Sequence, residues 1–241
     1  PWVCGGATLL RAGLAAAALM KEEYFQRRGF GFSEGLRAMK ESVRSSIDYG
    51  LKNDTIRFIL FLGLAQSFAT PAVDVQWQPY LSQFSEEKMM LGLVWAGISL
   101  SVVSGAGLSQ RFLRRFSGER TALVVSQILI GVGMLLSALF SFFPLILTFL
   151  FIHELARGLF SPTKDAYLNS NIPSKERATL LSFESIFLHF GMAAGLLVSG
   201  FVGQYANIPS AWTISGAILV GATVFLASRR KQAKVFNAVR L

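Results

Sequence analysis

One cysteine and two histidines in 241 residues leave little material for several kinds of chemistry. Cys4 by itself makes no internal disulfide, and with His153 and His189 it falls short of a metal-ligand cluster. No glycine-rich phosphate loop and no G-x-S-x-G nucleophile turn occurs, so no catalytic arrangement emerges. The expectation is a protein with no resident metal, no cofactor and no enzymatic activity. Charge is scarce as well, at 15% of residues, and acids number 14 against 23 Lys and Arg. A net charge of +9 raises nucleic acid as a partner. The basic segments lack the aromatic and glycine pattern of an RNA or DNA module, so that partner is not expected.

What is abundant is apolar. Hydrophobic residues make up 52% of the chain, with 21 Phe beside 22 Gly. Phe and Leu suit lipid, and Gly is more frequent in membrane helices than in soluble ones. A helix crosses the hydrocarbon with about 20 apolar residues. Seven stretches qualify: 2–20, 56–81, 89–109, 121–140, 144–168, 179–204 and 210–228. Thr121 to Ile152 carries no charge and is too long for one crossing at about 1.5 Å per residue. The turn is placed at Ser141-Phe142-Phe143-Pro144. An all-α membrane protein of about seven transmembrane helices follows.

The basic residues orient it. All but Arg11, Lys88 and Arg157 fall in four patches: 21–57, 110–120, 162–178 and the tail from Arg229. Basic residues confined to alternate loops belong on the cytoplasmic side. The C-terminus is then cytoplasmic and the N-terminus of this chain outside, in the cell membrane, with the lipid bilayer as a partner. Within 21–57, Leu36, Met39, Val43, Ile47 and Leu51 recur at helical spacing. That predicts an amphipathic helix, lying on the membrane surface or packed against the protein's own cytoplasmic face. The chain has no initiator Met and opens inside an apolar stretch, which reads as a fragment or a processed product.

Ionisable groups inside spans are costly and mark candidate sites. Glu154 and Arg157 are three apart, share a helix face and can pair; they form either a substrate or coupling site, or a structural ion pair. His153 lies on another part of that helix and reads as a packing or hydrogen-bonding residue. Asp74 sits among Pro71, Gln76, Trp77 and Pro79. It marks either a cavity mouth or an interfacial acid, and Gln76 and Trp77 are candidates for substrate contact. His189 is either a proton carrier or a satisfied core histidine. Glu184 is expected to pair with Arg177 or Lys175. Gly191, Gly195, Ser199, Gly200 and Gly203 predict close helix approach, as do Gly216, Ala217 and Gly221.

From Gly158 the chain reads Gly-Leu-Phe-Ser-Pro162, then Asp165-Ala-Tyr-Leu-Asn169, then Ile172-Pro173-Ser-Lys-Glu-Arg177-Ala-Thr. This resembles the signature that closes the fourth helix of each six-helix half in the major facilitator superfamily of transporters. A second stretch, Gly105-Ala-Gly107-Leu108-Ser109-Gln110-Arg111, continuing to Arg114-Arg115, resembles the superfamily's loop between the second and third helices of a half. Gln110 stands where that pattern has an acid, which hydrogen-bonds but cannot ionise.

The resemblance implies a C-terminal transporter half, residues 56–228, preceded by the helix 1–20 and a basic linker 21–55 and followed by a basic tail 229–241. It implies a secondary active transporter moving a small-molecule substrate by alternating access, with the N-terminal half of the same transporter absent; Glu154, His189 and Asp74, titratable within spans, make protons a candidate coupling ion. Drug efflux and sugar or metabolite transport both remain open, as symport or antiport. Gln110, Arg111, Arg114, Arg115, Pro162, Asp165 and Arg177 become candidates for its conformational loops. The alternatives are a seven-helix receptor-like protein, whose first cytoplasmic loop would ordinarily be shorter than the one here, and an inactive truncated half.

Overall fold

A stretch that is apolar on every face has one stable form in lipid, the helix, because it satisfies its backbone hydrogen bonds within itself. The computed structural model describes residues 2–19, 37, 40, 44, 50–85, 87–116, 118–174 and 177–229, and no strand occurs among them. The chain divides into two units, residues 1–41 and 42–241.

The first unit contains α1, Trp2–Leu19, with Arg11 inside it. Its apolar part, Gly6–Leu19, is shorter than the other spans. The seven predicted crossings therefore become six helices long and apolar enough to cross a membrane, plus this shorter one. The amphipathic-helix expectation rests mainly on Leu36, Met39, Val43 and Ile47, which lie outside the described residues.

The second unit is an antiparallel helical body. Its elements are α2 (Asp54–Ala69), α3 (Pro71–Leu81), α4 (Lys88–Arg114), α5 (Glu119–Leu139), α6 (Phe143–Asn171), α7 (Arg177–Tyr205) and α8 (Ile208–Ser228). Polar residues in the turns set several starts. The Asn53 side chain accepts from the amides of Thr55 and Ile56 and opens α2. Asn207 accepts from Ser210 N at 2.7 Å to open α8. Pro71 begins α3, where its missing N–H costs little, so the span 54–81 is built from two helical pieces. Pro79 does not interrupt α3.

Two helices run past their predicted ends. α4 continues to Arg114, so Gln110 and Arg111 lie on its last turns and not in a loop. α6 passes through Pro162 and stops only at Asn171. Its last turns are held by side chains: Lys164 pairs with Glu184 on α7, and the Asn169 and Asn171 amides donate to the carbonyls of Asp165 and Tyr167.

In the body, α6 packs against α4 and α5, α5 against α8, and α2 against α7 and α8. Two buried glutamines and a tryptophan bind helix to helix through backbone carbonyls. Gln127 donates to Leu62 O at 2.8 Å, Gln76 to Ser199 O at 2.8 Å, and Trp212 Nε1 to Ala72 O at 3.0 Å. Glycine permits the closest crossing. A Cβ on Gly158 would sit 2.1 Å from Val102 O, and one on Gly105 would sit 2.1 Å from Leu155 O. Gly191, Gly195, Gly203 and Gly216 also face close neighbours. Gly200 and Gly221 have nothing within 4 Å among the described residues, so neither packs against a helix of this body. The period of small residues identifies a stripe, but not which of its members faces the neighbour.

Candidate functional site

The polar centre of the body forms where the broken span meets the middle of α6. Pro71 restarts the helix one turn before Asp74, and the α6 register puts Glu154 and Arg157 on one face. Arg157 Nη1 donates to Asp74 Oδ1 at 2.5 Å, and Nη2 donates to Oδ2 at 3.5 Å. The same Nη1 reaches both Glu154 carboxylate oxygens at 3.2 Å. One guanidinium thus spans two carboxylates from two helices. Exposure rises outward along this chain, from 4% for the Glu154 side chain to 27% for Arg157 and 41% for Asp74.

His153 completes the inner end. Its Nδ1 lies 2.9 Å from the carbonyl of Ile130 on α5. A carbonyl only accepts, so Nδ1 carries the hydrogen and the neutral ring presents a lone pair at Nε2. That Nε2 is fully buried, has no hydrogen-bond partner among the described residues, and lies 3.9 Å from Glu154 Oε1. At that distance the two acceptors make no hydrogen bond, and Glu154 Oε1 is already held by Arg157. Gly133 lets α5 approach the α6 backbone here, since a Cβ there would lie 2.9 Å from His153 Cβ and 3.0 Å from its Cα.

The remaining candidates are dispersed. Gln76 is taken up by its bond to α7, with Oε1 unpaired, and Trp77 is buried in a stack with Trp95 at 5.8 Å. His189 is exposed on α7 and bonds the carbonyl of Ser185 within its own helix at 2.7 Å; the core-histidine alternative does not describe it. Gln110, Arg111, Arg114 and Arg115 are exposed at the end of α4. Pro162 lies inside α6, and Asp165 contacts Lys164 at 3.2 Å. Arg177 donates to Asn169 O and not to Glu184.

Glu184 instead meets Lys164, a pairing the charge pattern missed. Lys164 belongs by charge to the basic patch 162–178, yet it lies on α6 and faces α7, where both side chains are largely buried. The one available signal was spacing: Lys164 is seven residues beyond Arg157, two turns along the same face.

Comparison with known proteins gives three findings. The family model described as "Major Facilitator Superfamily" matches residues 55–240. No curated protein matches the chain. A crystal structure of the POT family transporter PepTSo is similar in fold, with a TM-score of 0.58 at 18% identity. The match covers 72% of this chain and 37% of that one, so the present chain corresponds to well under half of that transporter.

Proposed function

Because the chain belongs to the Major Facilitator Superfamily, we propose that its six-span body is the C-terminal half of a proton-coupled secondary transporter. The seven-helix receptor alternative falls with that membership. Residues 56–228 form the half, 21–55 the linker, 1–20 the preceding helix and 229–241 the tail. A second six-helix half completes the machine. The outward apolar faces of α4 and α7, the least buried spans of the body, supply surface for that half and for lipid. The basic ends of the spans lie in the cytoplasm, following the one-sided Lys and Arg distribution.

The observation that carries the coupling is the charge balance of the Asp74–Arg157–Glu154 cluster. One cation against two carboxylates leaves a negative excess inside a span, where unbalanced charge is expensive. A proton relieves it, and Glu154 is the site: its side chain is the least exposed of the three, and its Oε1 lies 3.9 Å from the unpaired Nε2 of His153, a gap that a protonated carboxyl closes by rotating toward the ring. A neutral Glu154 loosens its hold on Arg157, which frees the guanidinium and Asp74 to engage a small solute at the more open end. The substrate class and the direction of transport are set by groups beyond this cluster.

Reconstitution of the complete transporter tests this reading. Glu154→Gln should abolish transport driven by a proton gradient while substrate exchange persists. Proton-driven transport that survives the substitution overturns the role of Glu154, and loss of exchange as well would make the residue a structural one.

A further inference from the structure

At the end of the body where α2 and α5 begin and α8 finishes, the three helices leave a cleft of about 730 Å³. That falls within the roughly 300–1,000 Å³ of small-molecule sites. Its lining combines Arg57, Arg120 and Arg229 with a single carboxylate, Asp54. Arg57 is engaged by Asp54 and by the carbonyl of Leu51. Arg120 lies over the Phe58 ring at 4.1 Å and makes a long, 3.4 Å contact with Leu226 O. Arg229 lies over Phe225 at 4.3 Å. Neither Arg120 nor Arg229 meets a carboxylate among the described residues, so the cleft carries a net positive charge.

We propose that this cleft binds the phosphodiester headgroup of an anionic phospholipid. The planar fork of each guanidinium matches two phosphate oxygens, and the aromatic faces beneath Arg120 and Arg229 hold their planes in place. The source is a lipid, and not a free anion, because the wall of the cleft is amphipathic. Phe61 and Phe225 line it and remain 39% and 54% exposed, which supplies an apolar track for an acyl chain leading away from the arginines. The depth agrees, since the cleft lies where three spans end and headgroups reside. Nothing in this site touches Asp74, Glu154 or Arg157, so it stands whether or not the transport reading does.

The test titrates the purified 241-residue chain in neutral detergent with phosphatidylglycerol, phosphatidylcholine or inorganic phosphate in separate arms. Native mass spectrometry reads retained lipid, and thermal melting reads stabilisation. Phosphatidylglycerol should be retained and should raise the melting temperature, while phosphatidylcholine and phosphate should do neither. Each arginine removed, as Arg120→Gln or Arg229→Gln, should weaken phosphatidylglycerol binding about fivefold. Arg229→Gln is the safer variant, because that side chain stacks only within its own helix. Equal retention of the two lipids, or unchanged retention in both variants, overturns the proposal. Protection by phosphate equal to that by phosphatidylglycerol makes the cleft a free-anion site and overturns the lipid assignment.

Discussion

Lys164 and Glu184 illustrate how a charge behaves once a helix carries it inside. Their side chains are 11% and 9% exposed, and the pair ties the last turns of α6 to α7. Removing one partner strands the other in a low-dielectric setting at a cost of about 3–5 kcal/mol, whereas replacing both with apolar groups of similar size is close to neutral. Lys164→Met and Glu184→Met should therefore each lower stability strongly, and the double variant Lys164→Met/Glu184→Met should recover most of it. Unfolding of the purified chain in detergent measures this, and additive single effects would contradict it. The pairing was not legible in the sequence, because Lys164 falls in the basic patch 162–178 and Glu184 has nearer cations along the chain in Arg177 and Lys175. Glu154 with Arg157 was legible, since a separation of three residues on one helix fixes their proximity. Asp74 joins them from 83 residues away, a distance no local rule covers.

Among the helices, small residues decide where elements touch. At the α4–α6 crossing a Cβ on Gly158 would enter the Val102 carbonyl, with backbone and not a flexible side chain in the way. Gly158→Ala must push the helices apart, with a loss of about 1–3 kcal/mol. Gly221→Ala, with open space around it, should change stability by less than about 0.5 kcal/mol. Melting of the two variants side by side checks the contrast, and equal effects would remove the packing account. Helix existence was legible from apolar length, and so within two residues were the ends of α5, α7 and α8, but not the C-terminal ends of α4 and α6. α6 exceeds its apolar window because polar contacts with α7 and with its own preceding turns stabilise extra turns that hydropathy does not register.

For the molecule as a whole, the alternation of basic and uncharged connections predicts which ends share a side of the membrane. With Cys4 replaced by Ser, Ser141→Cys should react with a membrane-impermeant thiol reagent in intact cells. Gly118→Cys should react only after permeabilisation. The reverse pattern would invert the proposed orientation. The body itself confirms the pairing of ends, since Arg120 at the start of α5 meets Phe58 near the start of α2 and Leu226 near the end of α8.

The stretches from Gly158 and from Gly105 carried the resemblance to the superfamily; composition and charge spacing by themselves determined a helical membrane body. They could do so because crossing hydrocarbon constrains each segment separately, by its own length and polarity. Tertiary structure alone decided that Arg157 holds Asp74 as well as Glu154, that His153 turns an unpaired nitrogen toward that carboxylate, and that three arginines from distant segments share one cleft. These are meetings between helices. They depend on crossing points and register, which side-chain packing sets and no single segment contains.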